Sequence, residues 1–160
     1  CDLHPHKKKL IQAGADRLGL ENITPMTADG KAFRPEWESA FDRVLVDAPC
    51  SGLGVIRKKP DIRYKDRPPL LGLPRVQRAI LDNAARYVKP GGVLVYSTCT
   101  LLDRENQEVV LGFLADHPAF RAEGFPLPEH VGDARTGMLT LWPHRQGADG
   151  FFISKLRREG

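Results

Sequence analysis

The amino-acid sequence predicts an α/β fold with a mostly parallel β-sheet covered by helices on both faces. Segments with helical spacing of apolar residues alternate with short apolar runs, and glycine or proline separates them. The two strongest runs are FDRVLVD at Phe41–Asp47 and GVLVYST at residues 92–98, which are typical of buried strands. The 160 residues are enough for one domain with a real hydrophobic core.

The first third of the chain predicts one helix and two strands. Pro5 can begin a helix that runs to residue 18 and ends at Gly19. Residues 22–28 predict a short strand. The run Phe41–Asp47 predicts a buried strand that ends on an acid.

The middle of the chain predicts two helices around a strand. After a stretch rich in glycine and proline at residues 49–74, an amphipathic helix is predicted from Leu73 or Pro74 to Val88, ended by KPGG at residues 89–92. Residues 92–98 form the next predicted strand. A further helix is predicted at residues 103–115, with Asp103 as its cap.

The C-terminal part predicts two strands, at residues 138–142 and 151–156, joined by a loop that contains Gly147 and Gly150. No helix pattern separates them. We therefore expect this pair to be an antiparallel hairpin at one edge of the sheet.

Composition narrows the class of protein. The net charge of +4 weakly favours a polyanionic partner. Three cysteines without paired spacing argue against a disulfide scaffold and fit a reducing cytoplasm. The sequence contains no cluster of cysteines and histidines that would indicate a metal site. It also contains no apolar stretch long enough for a membrane span.

Ligands of α/β sheets bind at the carboxyl ends of the strands, so the residues that follow each predicted strand are candidates for function. These positions are Asp2, Asp29, residues 47–50 and Cys99. Two cysteines, Cys50 and Cys99, follow equivalent strand ends. Taken singly, each could equally be a small buried core residue.

Several motifs resemble the Sun/Nop family of RNA cytosine-5 methyltransferases. They are DAPCSG at residues 47–52, RKKPDI at 57–62, KPGG at 89–92, YSTCT at 96–100, EN at 105–106 and DGFF at 149–152. They occur in the family's order and cover nearly the whole chain. The resemblance implies a Rossmann-like methyltransferase fold and transfer of a methyl group from S-adenosylmethionine to carbon 5 of a cytosine in RNA.

The resemblance also implies a role for each residue of these motifs. Cys99 is the nucleophile that adds to carbon 6 of cytosine, which makes carbon 5 reactive toward the methyl group. Cys50 assists the breakdown of the covalent adduct. Asp47 hydrogen-bonds the cytosine edge, although a carboxylate there could instead cap the next turn. Pro49 holds the loop against the base or simply shapes the turn.

For the cofactor, the resemblance assigns Asp2 to the ribose hydroxyls and Asp29 to the adenine amino group of S-adenosylmethionine, with Asp47 also among the cofactor residues. Without it, Asp2 and Asp29 are ordinary turn residues. The family's first strand and its glycine-rich loop with a lysine are expected upstream of Cys1, which is not a methionine. We therefore expect the 160 residues alone to bind the cofactor poorly and to be inactive.

A basic segment follows the DAPCSG motif. Arg57, Lys58, Lys59 and Arg63 are predicted to contact RNA phosphates, with Lys65 and Arg67 extending the segment; a solvated charged loop is the alternative. Tyr64 could stack on a base, and the target cytosine must leave its stack. RPPLLGLP at residues 67–74 departs from the family's more polar pattern. Small-subunit (16S) ribosomal RNA is the substrate that the resemblance suggests, and transfer RNA is the alternative.

Other classes remain open from the sequence. An exocyclic amine methyltransferase needs an acidic-Pro-Pro-aromatic turn, where this chain has DAPC, and needs no thiol. A non-catalytic RNA-binding module would keep the basic segment without requiring both cysteines. A thiol hydrolase would need a histidine to activate Cys99, and no histidine is placed for this by the pattern.

Overall fold

The computed structural model describes residues 1–64 and 71–160, which divide into two compact units, Cys1–Arg34 and Pro35–Gly160. The predictions for Lys65 and Arg67, and the first half of the RPPLLGLP segment, lie outside the described residues.

The first unit contains the predicted N-terminal helix. Helix α1 spans Pro5–Arg17, and Pro5 lies in the first turn, where a backbone donor is not needed. Gly19 follows the helix with a φ of 65°, a left-handed conformation that glycine adopts without strain. The start is as predicted, and the helix ends at Arg17, one residue before the predicted end.

The strand predicted at residues 22–28 is wrong. This segment forms one parallel bridge, between Thr27 and Asp2, with backbone hydrogen bonds from Asp2 N to Met26 O and from Ala28 N to Asp2 O. Pro25 has no backbone N–H to donate to a ladder at its position. Through this bridge, the segment that precedes Asp29 lies beside the segment that contains Asp2.

Within the described residues of the second unit, five strands form one sheet in the order β1-β2-β5-β3, and β4 also pairs with β5. The strands are β1 (Phe41–Asp47), β2 (Val88–Thr98), β3 (Phe120–Ala122), β4 (Met138–Leu141) and β5 (Phe151–Arg158). β1 and β2 are parallel, whereas β5 is antiparallel to β2, β3 and β4.

This mixed sheet corrects the prediction of a mostly parallel one. The antiparallel pair of β4 and β5 was expected at an edge, and β4 does lie there. However, β5 is interior: it pairs with β2 on one side and with β3 and β4 on the other. Two strands joined by a short connection, without a long crossover helix, run antiparallel to each other. β4 and β5 are joined in this way, and because β5 lies inside the sheet, the sheet is mixed.

The second unit contains helices α2 (Leu73–Ala85), α3 (Gln107–Asp116) and α4 (Pro143–Gln146). Helix α2 ends three residues before the predicted Val88, because Val88 already pairs with Phe41 and begins β2. The helix predicted at residues 103–115 is divided. A 3-10 turn covers Asp103–Glu105, and α3 begins only after Asn106, whose backbone is not helical.

The predicted cap at Asp103 is also wrong, since neither start makes a side-chain cap hydrogen bond. The break at Asn106 has a physical cause. Its side chain accepts a hydrogen bond from Thr98 Oγ1 at 2.6 Å and donates one to the Thr100 carbonyl at 3.0 Å. These bonds hold Asn106 against the end of β2, so the chain turns there before the helix continues.

The core lies between one face of the sheet and helices α2 and α3. Inward-facing strand residues Leu94, Tyr96, Phe152 and Leu156 are fully buried against a helical layer that includes Phe113. Each such side chain stabilises the fold by about 1.5–3 kcal/mol relative to an exposed position. This packing fixes the carboxyl ends of β1 and β2. No helix in the described ranges is long and apolar enough to cross a membrane.

Candidate active site

Two cysteines meet at the carboxyl ends of the parallel strands β1 and β2. Asp47 pairs in register with Ser97, so the residues that follow the two strands emerge side by side. The sulfur atoms of Cys50 and Cys99 lie 3.2 Å apart, and both side chains are partly buried and free of disulfide bonds. This is the contact of a thiol that donates to a neighbouring sulfur, far longer than a disulfide bond of about 2.05 Å.

The two thiols differ in acidity. The hydrogen bond from Cys50 lowers the pKa of Cys99 to about 7, and Lys59 contributes in the same direction, while burial and the Asp47 carboxylate oppose the shift. The same contact with Cys99, together with burial, raises the pKa of Cys50. Cys99 is therefore the sulfur of the pair that ionises first, and near neutral pH it is partly thiolate, the form that is a good nucleophile.

Asp47 and Pro49 lie beside this pair and are exposed. The Asp47 carboxylate accepts a hydrogen bond from Ser97 Oγ at 3.1 Å, across the strand pair. Among the described residues, no hydrogen bond is made to the second carboxylate oxygen of Asp47, which can accept from another donor. The Pro49 carbonyl points inward and accepts a hydrogen bond from Gln77 Nε2 at 2.9 Å.

A buried polar network lies under the cysteines, and the sequence interpretation missed most of it. Its hydrogen bonds join Ser51 N to Glu105 Oε2 at 2.9 Å, Gln77 Nε2 to Glu105 Oε2 at 2.9 Å, and Ser51 Oγ to Thr100 Oγ1 at 2.7 Å. All four residues are fully buried. Glu105 occurred in a recognised motif without a role. Gln77 stands on the apolar stripe of α2, and a polar residue at that position was the available signal.

Two glycines hold the Cys50 segment against the end of β2. Gly54 N donates to the Cys99 carbonyl at 3.0 Å, and Gly150 N donates to the Gly54 carbonyl at 2.8 Å. A Cβ on Gly54 would lie 2.0 Å from the Gly150 carbonyl oxygen, so no larger residue fits. This close approach joins the segment that follows the DAPCSG motif to the later DGFF motif.

In the described part of the basic segment after the cysteine motif, two cations contact a carboxylate and two do not. Lys58 Nζ lies 2.6 Å and Arg57 Nη2 3.9 Å from the Asp149 carboxylate, so both cations are partly neutralised. Lys59 and Arg63 are exposed, and within the described ranges neither has an ion pair. Their positive charge remains available to an anion. Tyr64 is also strongly exposed, at 86%.

The comparisons with known proteins identify the family. A family model described as 16S rRNA methyltransferase RsmB/F matches residues 1–157. The chain belongs to the RsmB/F family. Among curated relatives, the probable ribosomal RNA small subunit methyltransferase B of Bacillus subtilis strain 168 is 48% identical over 165 residues. That alignment covers 99% of this chain and 37% of the relative, so the chain spans little more than a third of that relative's length.

Solved structures share the fold of this chain. The crystal structure of a protein named PH0851 has a TM-score of 0.89 and 33% identity, covering 98% of this chain and 36% of that one. The structure of NSun6 from Pyrococcus horikoshii has a TM-score of 0.76 and 27% identity, covering 99% and 40%. The α/β methyltransferase-like fold is thus confirmed, with the mixed sheet described above.

The two aspartates predicted to bind the cofactor in this RsmB/F chain lie in the first unit. Asp2 Oδ1 accepts a hydrogen bond from His4 N at 2.9 Å, and Asp29 Oδ1 accepts one from Lys31 N at 2.9 Å. Both therefore form the tight Asx turns of ordinary turn residues. Each leaves its second carboxylate oxygen for a further donor, although that of Asp29 lies 3.8 Å from Lys31 Nζ.

Possible metal ligands are scattered rather than clustered. Among residues 1–64 and 71–160, no three or more histidine, cysteine, aspartate or glutamate side chains are arranged to hold a metal ion.

Proposed function

We propose that this chain forms the catalytic part of an enzyme that transfers a methyl group from S-adenosylmethionine to carbon 5 of a cytosine in 16S ribosomal RNA. Membership in the RsmB/F family supports the reaction class. The observation that carries the proposal for this chain is the Cys50–Cys99 contact of 3.2 Å at the ends of β1 and β2. An amine methyltransferase or a simple RNA-binding module has no use for such a pair.

Cys99 is the nucleophile in this proposal. Its thiolate adds to carbon 6 of the cytosine, and the electron density that this bond brings to the ring makes carbon 5 nucleophilic. A lowered pKa of about 7 supplies a large thiolate fraction at neutral pH. The exposed Asp47 carboxylate, held by Ser97, binds the edge of the base and orients it.

Cys50 acts in the second half of the reaction. After carbon 5 has gained its methyl group, it loses a proton to a base, and the bond between carbon 6 and the Cys99 sulfur breaks. The departing sulfur recovers its negative charge. A Cys50 thiol at 3.2 Å stabilises that charge by donating a hydrogen bond, so it favours release of the product.

The residues available for the cofactor fit its chemistry. The second carboxylate oxygens of Asp2 and Asp29 are acceptors, as the ribose hydroxyls and the adenine amino group require, and that of Asp29 also lies 3.8 Å from Lys31 Nζ. S-adenosylmethionine, when bound, supplies an electrophilic methyl group. We propose that Asp2 binds the ribose and Asp29 the adenine, while a contribution of Asp47 to this binding rests on the family resemblance.

The basic segment provides the proposed RNA contact. Lys59 and Arg63 bind phosphates directly, and Arg57 and Lys58 contribute less, because Asp149 partly neutralises them. A small-subunit ribosomal RNA is favoured over transfer RNA by the description of the family. Bisulfite mapping of 5-methylcytosine in a strain that lacks the gene would distinguish the two, since the lost site lies in one RNA or the other.

Serine substitutions of the three cysteines test the catalytic roles in the full protein. Cys99→Ser should abolish methyl transfer and any covalent adduct with RNA that contains 5-fluorocytosine. Cys50→Ser should accumulate a covalent adduct with unmodified RNA, visible as a slow band on a denaturing gel. Cys1→Ser, at an exposed thiol, is the matched control and should leave both measurements unchanged. Undiminished methylation by Cys99→Ser would refute the nucleophile assignment.

A further inference from the structure

Two buried side chains hold the peptide groups on either side of Cys50. Gln77 Nε2, from helix α2, donates to the carbonyl of Pro49 at 2.9 Å. Glu105 Oε2, from the 3-10 turn after β2, accepts from the backbone N–H of Ser51 at 2.9 Å. Gln77 Nε2 also donates to Glu105 Oε2 at 2.9 Å, so the two side chains form one connected clamp.

The chemistry of this clamp fixes the orientation of Gln77. Pro49 O and Glu105 Oε2 are both acceptors, so only the amide nitrogen can face them. In the reverse orientation the amide oxygen would meet two other oxygens. The clamp therefore accepts one arrangement of the Cys50 peptide groups, and it resists rotation of the segment that carries the thiol.

Stability alone is a poor explanation for these residues. Glu105 and Gln77 are fully buried, and one oxygen of each, Oε1, has no hydrogen-bond partner within the described part of the chain. Taking a carboxylate out of water costs several kcal/mol, which apolar side chains of similar size would avoid. The hydrogen bonds that these groups do make go to the backbone around one thiol and to each other.

We infer that Gln77 and Glu105 are positioning residues that hold the Cys50 thiol against the Cys99 sulfur, an inference that rests on the proposed function. In the described part of the chain, no hydrogen bond joins either side chain to a sulfur atom, so both act through the backbone of residues 49–51. The pair sets the distance at which Cys50 can donate to Cys99, both before attack on the base and during release of the product.

The acidity of Cys99 is the property that such positioning changes. The titratable and charged groups that act on the Cys99 sulfur are Cys50 and Lys59, which lower its pKa, and Asp47, which raises it. The hydrogen bond from Cys50 is the largest of these effects. If the clamp is lost and Cys50 moves, the pKa of Cys99 rises toward the ordinary value of a thiol, about 8.5.

The test measures the rate at which iodoacetamide alkylates Cys99 against pH, in the full protein without RNA or cofactor. Gln77→Met keeps the side-chain volume but removes the donor, and Gln77→Asn is a polar, shortened alternative should the methionine variant fail to fold. Glu105→Gln keeps an acceptor oxygen for Ser51 N and Gln77 Nε2. Asn83→Ala is the matched control, because Asn83 is buried on the same helix and donates to Tyr87 OH.

We expect the inflection of the wild-type profile near pH 7 to move up by about one unit in the Gln77 variants. Glu105→Gln should stay close to wild type, and Asn83→Ala should not shift. The Gln77 variants should also accumulate covalent adduct with unmodified RNA, as expected when Cys50 is misplaced.

The Cys50→Ala variant distinguishes a failure of the positioning inference from a failure of the coupling between the two thiols. If this change raises the inflection and the Gln77 variants do not, the cysteine pair stands and the positioning inference is wrong. If Cys50→Ala leaves the inflection in place, the electrostatic coupling of the two thiols is refuted, and the inference with it. Loss of methyl transfer with Cys99→Ser is measured independently, so the proposed function is judged separately.

Discussion

At the scale of single residues, the site depends on which of two neighbouring thiols keeps its proton. Cys50 and Cys99 are chemically identical and lie 3.2 Å apart, yet their surroundings move their pKa values in opposite directions. Lys59 lowers the pKa of Cys99, and burial is greater at Cys50. The difference in acidity between the two thiols is therefore a property of their environment, and it underlies the proposed roles of nucleophile and hydrogen-bond donor.

The pH dependence of the reaction should report this division. Because the thiolate is the reactive form, kcat/KM for methyl transfer should rise with pH and level off above an inflection near pH 7, the pKa of Cys99. Replacing Cys50 by alanine should move the inflection upward. Steady-state kinetics between about pH 5.5 and about pH 9 would measure it. A wild-type rate that is still rising steeply at the alkaline end of this range would contradict a lowered pKa.

Sequence motifs selected the candidate site residues, whereas the side chains that surround them were not predicted. Cys99, Cys50 and Asp47 could be chosen because a recognisable motif and a strand end coincide at each. Their mutual distance, and the hydrogen bond from Ser97 to Asp47, depend on strand register and were not predictable. The spacing of α2 marks Gln77 only as a polar residue on an apolar stripe. Its partners, Pro49 and Glu105, come from other segments and could not be predicted from that spacing.

At the scale of elements, the ends of β1 and β2 are the part of the fold that matters for the site. Their parallel pairing was predicted correctly, since both runs are apolar and a helix connects them. The three-residue strand β3 and the interior place of β5 were missed. Short strands carry little pattern, and antiparallel joining is decided by connection geometry. The helix break at Asn106 was missed because tertiary hydrogen bonds cause it.

The contact between the Cys50 segment and the start of β5 gives a testable contrast between two glycines. Gly54→Ala should destabilise the protein and reduce methyl transfer, because the new Cβ would lie 2.0 Å from the Gly150 carbonyl oxygen. Gly14→Ala, within α1, should stabilise by about 0.5–1 kcal/mol, because a Cβ added there would meet nothing within 4 Å. Urea unfolding measures both. Equal effects of the two changes would contradict the close approach.

At the scale of the whole molecule, some positively charged side chains are held in ion pairs, whereas others are exposed and can bind an anion. The net charge of +4 is modest, and several cations are already engaged, as Lys155 and Arg157 are with Glu123. These contacts lower the pKa of Glu123 to about 2. Lys59 and Arg63 are exposed in the segment that follows the cysteine motif. They are therefore better candidates for binding RNA phosphates than cations that are already paired with carboxylates.

Salt dependence of RNA binding should distinguish these cations. Each phosphate contact contributes a slope of about 0.7–0.9 to the plot of log affinity against log salt concentration. Lys59→Ala and Arg63→Ala should each reduce the magnitude of the slope by nearly the value of one phosphate contact, about 0.7–0.9. Lys58→Ala should reduce it by less, because Lys58 is already paired with Asp149. Lys7→Ala, on the exposed side of α1, is the control. Filter binding at several salt concentrations measures this, and equal slopes for all variants would exclude the proposed contact.

The place of β5 in the sheet bears on the order in which the protein can mature during synthesis. Of the described strands, β5 leaves the ribosome last, yet it lies between β2 and the pair β3 and β4, and Gly150 just ahead of it holds Gly54. A nascent chain that has already exposed both cysteines thus lacks the strand that flanks β2 and the contact that holds Gly54. We therefore expect the cysteine pair to reach its native surroundings only after β5, which ends at Arg158, has been synthesised.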